Sequence, residues 1–328
     1  MSKAKKFWAV YDKIGVLFFI ALVGIVFFFL DSRIVSGSNL LNVLSNASMI
    51  GICGAGMTFA LCSGGFDLSI GYIFSWCGLV YAQLVPVFCD SMGSIGVFVA
   101  LLVAMLVGAL CGVVNGLVIT KLKIVPFVAT LATCYIWRGA ALLWTSGSKI
   151  TIIKNEYPAI EIFSTGKLFG VIPASVIMMV IVFLIAFLLY KFTKFGVAVR
   201  SVGSNEAAAR ITGVKADATL IGVYVTTGVT AAIASVVNAS MLMLAEPASG
   251  AGYDLQAITS TILGGTALDG GRGNVWGTMF GAFLLMLLNS GLNILGVPQE
   301  YQRLARGLIL LLALTVGSIK ILTKGGEE

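Results

Sequence analysis

Residues 95–119 read IGVFVALLVAMLVGALCGVVNGLVI, 25 consecutive positions without a charged side chain. About 20 apolar residues suffice to cross a bilayer as a helix, and an unpaired backbone is too costly in hydrocarbon for an open strand. This stretch therefore reads as a membrane span, and the sequence on either side repeats the pattern. Upstream lie Ile14–Leu30, Leu41–Cys62 and Ile70–Phe88; downstream lie Val125–Thr145, Leu168–Tyr190, Ala218–Leu244, the short Leu255–Leu268, Val275–Leu295 and Leu304–Leu322. The sequence predicts an all-α integral membrane protein of about ten transmembrane helices, with residues 1–328 forming a single transmembrane domain.

Composition agrees. Apolar residues make up 59% and charged residues 11%, whereas soluble domains carry about a quarter of charged residues. Glycine is abundant, at 39 residues, as expected where helices pack backbone to backbone in lipid. The absence of histidine excludes His-based acid–base catalysis and His-ligated zinc. The six cysteines, Cys53, Cys62, Cys77, Cys89, Cys111 and Cys134, sit mostly in apolar runs without metal-ligand spacing and read as buried thiols. No catalytic constellation and no metal site is visible. Lys3, Lys5, Lys6 and Lys13 before Ile14–Leu30 mimic a secretory signal, but the run ends in Asp31 without a small-residue cleavage site. It reads as a retained first helix.

The net charge of +7 follows from topology rather than from a nucleic-acid partner. With residues 1–13 inside, 14 Lys and Arg fall on inner segments and 6 (Arg33, Lys149, Lys154, Lys167, Arg303, Arg306) outside, leaving Arg138 within a span. That bias places both termini in the cytoplasm. Arg138 is costly at mid-span unless it snorkels outward or pairs across the bundle. Residues 146–167 then form an external loop, and 191–217 the longest internal one.

A degenerate internal repeat is visible. Gly64-Gly65 and Gly264-Gly265 stand 200 residues apart, and Leu68/Leu268 and Gly71/Gly271 keep that offset. Both glycine pairs interrupt apolar sequence near a membrane face, and Asp67 and Asp269 are positioned to cap the helices that follow. Each break reads as a tight turn between spans, with an ion-binding site as the competing role. Transporters are often built from such related halves.

Within the inner loop, Gly203–Gly213 reads as a short helix of its own. Asn205 suits the N-cap, Glu206 faces the positive end of the dipole, and Ala207, Ala208 and Ala209 favour helix. Arg210 pairs with Glu206 at i, i+4, and Gly213 supplies the stop. Two turns are unstable alone in water, so such a helix suits a groove on a cytoplasmic partner.

These residues carry a resemblance. Cys62–Gly71 (CSGGFDLSIG), Val114–Ile119, Pro126–Leu131, Gly203–Gly213 and Leu263–Gly277 together resemble the ribose/arabinose/galactose-type permease subunits of bacterial ABC importers. The similarity runs in order over nearly the whole chain. Phe66 stands where that family more often has Ile, and Ser204 where a second Gly is frequent. The resemblance implies a type II ABC importer fold in the bacterial inner membrane, as a homodimer or a pair of related permeases. It implies a cytoplasmic ATPase that binds ATP and Mg, a periplasmic sugar-binding protein, and Asn205–Gly213 as the coupling helix. No cofactor of the chain's own is expected.

The sequence contains no Gly-x-x-x-x-Gly-Lys-Ser/Thr phosphate loop, since Gly166-Lys167-Leu168 lacks both spacing and hydroxyl. Candidate path-lining residues are Asn46, Asn115, Thr130, Asn238 and Asn289, with Asn42, Thr133, Thr259, Ser260 and Asn293 as further polar groups within spans. Interhelical hydrogen bonding is the competing role for each. A secondary transporter or channel is the alternative function, although no acidic residue lies deep in a span as proton or sodium coupling usually needs.

Overall fold

The computed structural model describes residues 3–153, 155–305, 307–309, 311 and 315. α1 (Lys3–Leu30) stops at Asp31, whose carboxylate accepts from the Arg33 backbone N–H at 2.9 Å and caps a 3-10 turn, Ser32–Val35. Ser36 caps α2 (Gly37–Cys62) through its side-chain oxygen. α3 (Ile70–Met92) joins α4 (Gly96–Lys121) by a 3-10 turn, Gly93–Ile95. α5 (Pro126–Thr145) opens with proline in its first turn, where a missing N–H costs nothing.

After α5 come β1 (Ile150–Thr151), a 3-10 helix Pro158–Phe163, and a hairpin of β2 (Lys167–Leu168) and β3 (Ile172–Pro173). α6 (Ala174–Phe192), α7 (Lys194–Ser204), α8 (Glu206–Ile211) and α9 (Ala216–Leu242) follow. β4 (Leu244–Ala245) pairs antiparallel with β1, then come α10 (Tyr253–Leu263) and α11 (Val275–Ile294).

Among the described residues, six stretches are long and apolar enough to cross a membrane, and Gly15–Leu30 is a shorter apolar helix. One stretch, Ile70–Lys121, holds both α3 and α4. The chain is a multi-pass, all-α membrane protein, and the expected count of ten is approximate. Most of Leu304–Leu322 lies outside the described residues.

Three boundaries differ from expectation. The run Leu168–Tyr190 begins as the β2–β3 hairpin, because Phe169 and Gly170 take left-handed φ of 52° and 73° and Pro173 follows, so the helix starts only at Ala174. The short run Leu255–Leu268 yields the 11-residue α10, about 16 Å at 1.5 Å per residue, roughly half a hydrocarbon core. Residues 191–217 are mostly helical, in α7 and α8, rather than a loop.

The core is built on α2, α4 and α9. On α4, Gly108, Gly112 and Gly116 recur at every fourth residue and form one stripe down the helix. A Cβ on Gly108 would strike the Gly228 carbonyl, on Gly112 the Tyr224 carbonyl, and on Gly116 the Ile221 backbone. The two backbones therefore touch, which is the packing lipid favours. The opposite side of α4 shows Phe98, Leu102, Leu106 and Leu110 as an exposed apolar row. All six cysteines are free thiols, four of them buried.

Candidate functional site

α2 ends in a reciprocal pair of backbone bonds: Gly64 N–H donates to Leu61 O at 2.9 Å and Gly65 N–H to Ala60 O at 3.0 Å, with Gly64 left-handed at φ 81°. This is a Schellman stop. α10 ends identically, Gly265 N–H donating to Ile262 O at 2.9 Å and Thr266 N–H to Thr261 O at 3.1 Å, with Gly265 at φ 90°. The two breaks thus superpose Gly64 on Gly265 and Ser63 on Gly264, an offset of 201 rather than the 200 at which the glycine pairs align in sequence. A second glycine is optional at the stop; the left-handed one is not.

The stretch after the first break is held by three neighbouring helices. Asp67, with no exposed surface, accepts from the Ser69 backbone N–H at 3.0 Å and from the hydroxyls of Ser69 and, on α9, Thr227. Asn115 on α4 donates its amide to Ser69 Oγ at 2.7 Å. Thr130 on α5 accepts from Leu68 N–H at 3.1 Å, and Tyr224 on α9 donates to Phe66 O at 3.3 Å. Asp67 does not occupy the N-cap of α3, which is Ser69; it knots the break to α4 and α9. Asp269 does not cap α11 either. It is exposed, and Asn274 performs the capping by accepting from Gly277 N–H at 2.9 Å.

The two breaks meet each other and α7. Gly271 N–H donates to the Cys62 carbonyl at 2.8 Å. Gly203, near the end of α7, sits so close that a Cβ there would collide with that same carbonyl and press on the Gly271 amide. Tyr190, near the end of α6, accepts from Gly273 N–H at 2.7 Å and contacts Cys62 Sγ at 3.3 Å. Arg200 of α7 donates to the Tyr190 carbonyl at 2.7 Å and stacks over its ring. The second break and α7 thus close on the Cys62 carbonyl, while α6 reaches the Cys62 thiol beside it.

From this junction the chain turns through Asn205, in extended conformation, into α8. Asn205 Oδ1 accepts from Ala208 N–H at 2.9 Å. Arg210 donates to Glu206 at 2.7 Å and also pairs with Asp217 at the start of α9, a partner that the i, i+4 pattern does not reveal. Hydrogen bonds to Asp217 and Glu206 raise the Arg210 pKa further, so its charge is fixed. Lys121, the last residue of α4, and Lys123, in the α4–α5 connection, reach Asp217 at 3.7 and 3.8 Å. Ala209 is buried against Val202, Ala216 and Leu220, so α8 does bury one face within its own chain. Ala207, Ala208 and Ile211 remain exposed, Ile211 at 87%. Gly213, at φ 85°, ends the segment. A cavity of about 280 Å³ lies between Gly64, Gly65, Pro126, Glu206 and Arg210.

The five residues singled out first for a solute path lie on five helices, α2, α4, α5, α9 and α11. Asn115 and Thr130 belong to the knot around Asp67. Asn238 is buried on α9, eleven residues beyond Thr227; Asn46 is exposed on α2, where it donates to Asn42 O; Asn289 is half-buried on α11. Thr133, Thr259 and Ser260 donate to carbonyls of their own helices. Arg138 is exposed on α5 with its guanidinium 5.5 Å from the centre of the Tyr72 ring, so a neighbouring helix receives it by its aromatic face rather than by a carboxylate. Tyr190, Thr227 and Asp217 are not among the expected site residues, and Gly203, expected to open the short helix Gly203–Gly213, lies instead in α7, because Asn205 in extended conformation separates the two helices.

Comparison with known proteins gives a consistent picture. Residues 39–314 match the family described as branched-chain amino acid transport system / permease component. The ribose import permease protein RbsC of Bacillus subtilis (strain 168) is 37% identical over 312 residues, 95% of this chain and 94% of the relative. The ribose import permease protein RbsC of Escherichia coli (strain K12) is 35% identical over 318 residues, 96% of each chain. The L-arabinose transport system permease protein AraH of Escherichia coli (strain K12) is 34% identical over 307 residues, 94% of this chain and 90% of the relative. No solved structure matches.

Proposed function

Because the chain belongs to the branched-chain amino acid transport system / permease component family, we propose that it works as the membrane-spanning subunit of an ABC importer for a monosaccharide, with Asn205–Gly213 as its contact with the motor. It is a sugar ABC importer permease and not an enzyme by itself; the relatives' names make ribose the first sugar to test. ATP would be hydrolysed by a separate cytoplasmic ATPase with Mg, and sugar delivered by a periplasmic binding protein. A second permease copy, or a related permease, would complete the path in the inner membrane, with both termini cytoplasmic.

The observation that carries this reading is the place of α8. It is capped, braced by Arg210 and Asp217, and exposed on one face, and it follows directly on the junction where both helix breaks meet. A push on α8 is therefore delivered to the ends of α2, α6 and α7 together. Proteoliposomes holding the chain with its ATPase and binding protein should take up sugar only with ATP. Uphill uptake by the pure chain without nucleotide would instead establish a secondary transporter.

Ile211 gives a finer test. An apolar side chain that stands free at the tip of α8 has the character of an interface anchor. Ile211→Asp should lower uptake and ATPase assembly by about tenfold or more, while membrane insertion and thermal stability stay unchanged. Normal copurification of the ATPase with that variant would remove α8 from the interface. Exchanging Glu206 and Arg210 is less informative, because Arg210→Glu also sets a carboxylate against Asp217.

A further inference from the structure

The β2–β3 hairpin is built to present apolar side chains. Both central residues of its turn are left-handed, Phe169 at φ 52° and Gly170 at φ 73°, and Val171 N–H closes the turn on Leu168 O at 3.2 Å. Asn, Asp or Gly suits such a position, whereas a bulky aromatic residue is strained there. Yet Phe169 occupies it and is 88% exposed, flanked by exposed Leu168, Val171 and Ile172. The base of the hairpin is pinned: Ala174 N–H donates to Gly166 O at 2.7 Å and Ser175 N–H to Ser164 O at 3.2 Å. The tip is therefore held in place by the start of α6.

This apolar surface continues into the exposed rows of two apolar helices long enough to cross a membrane. Beneath the hairpin lies a groove of about 410 Å³ lined by Phe98 of the exposed row of α4, by Ile162 and Leu168, and by Met178 and Ile181 of α6. Ile181 begins an exposed series on α6 with Leu184, Ile185 and Leu188. Lys167 stands at the rim, and among the described residues no carboxylate forms an ion pair with it. α6 is 19 residues long, about 28 Å at 1.5 Å per residue, so the hairpin marks the membrane boundary at the end of the bundle away from α7 and α8.

We propose that the hairpin 166–173 is an interfacial anchor that holds a phospholipid. Phe169, Val171 and Ile172 sit at the headgroup–acyl boundary, one acyl chain fills the groove between α4 and α6, and the Lys167 ammonium meets the lipid phosphate. Aromatic residues and snorkelling lysines belong at that depth. The site needs neither sugar nor ATPase, so it stands or falls apart from the transport reading.

The test uses the full chain in nanodiscs. In Phe169→Trp, the emission added over the unsubstituted chain should be quenched by phospholipids brominated high on the acyl chain, and an excess of binding protein should leave that quenching unchanged. Lys167→Glu should lower the anionic phospholipid retained by the detergent-purified chain about fivefold by native mass spectrometry. Phe169→Asn, which relieves the turn, should keep or raise the melting temperature while also losing lipid. Water-exposed, unquenched Trp emission overturns the proposal. So does full lipid retention in both Lys167→Glu and Phe169→Asn. Quenching that disappears when binding protein is added would overturn it too and make the hairpin a protein-docking element.

Discussion

Asp67→Ala is expected to abolish sugar uptake and to lower the melting temperature of the detergent-purified chain markedly. Asp67 has no exposed surface, and it accepts from the Ser69 backbone N–H, from two hydroxyls and, at 3.5 Å, from the Asn115 amide. Alanine removes the acceptor and leaves buried donors without partners, each worth about 1–3 kcal/mol. Thr227 escapes part of that cost, because its hydroxyl already lies 2.8 Å from the Tyr224 carbonyl and can turn to it. The Ser69 N–H has no such refuge. A net loss of about 2–4 kcal/mol is therefore expected.

Asp67→Asn separates hydrogen bonding from charge. The amide oxygen can still accept from Ser69, and its NH₂ can donate to Thr227 Oγ1 once that hydroxyl turns to Tyr224 O. The variant should retain most stability and a large share of uptake. Thermal unfolding monitored by size-exclusion chromatography, with uptake in proteoliposomes, checks both variants. An alanine variant of wild-type stability would show that the knot does not hold the break. An asparagine variant as weak as alanine would show that the negative charge itself is required.

The second large effect is expected at Gly203. Alanine there drives a methyl group into the Cys62 carbonyl and onto the Gly271 amide, the two partners of the bond that joins the breaks. Backbone cannot rotate out of the way as a side-chain tip can, so the junction must open, at a cost of about 1–3 kcal/mol. Since the exposed face of α8 is untouched, the ATPase should still bind Gly203→Ala. Uptake should fall at least about tenfold, the equivalent of 1.4 kcal/mol, and ATP hydrolysis should no longer respond to sugar-loaded binding protein. Gly213→Ala is the control: its left-handed φ makes it strained, yet nothing lies near a Cβ at that position. It should leave the response intact. Loss of response in Gly213→Ala but not in Gly203→Ala would reverse the assignment of the transmitting contact.

Much of this architecture is legible in the order of residues alone, and the parts that are not have physical reasons. The spans follow from long uncharged runs, because hydrocarbon imposes the same demand on every residue in a run. The Asn205 cap and the Glu206–Arg210 pair are readable because both are local, closed within four residues. The Phe169–Pro173 turn is not readable by apolarity, since Leu168–Ile172 contains no polar residue, and the left-handed backbone with Pro173 delays the helix there. The true register of the repeat is hidden for a related reason: Ser63 matches Gly264, so identical letters align one position away from equivalent geometry. Asp217, Thr227 and Tyr190 are silent in sequence because their partners lie 7, 160 and 83 residues away. Asp67 stands out by its letter, and its bonds to Ser69 are as local as a cap would be, but its bond to Thr227 of α9 is one no local reading finds.

The glycine stripe between α4 and α9 restricts how such a molecule can move. Where two main chains touch with no side chains between them, there is no cushion to deform, and a slip of either helix along the other would drive carbonyls into one another. The pair can only travel as one strut. A stroke delivered at the inner face then reaches the breaks after Cys62 and Leu263 with α4 and α9 moving as a unit beside them.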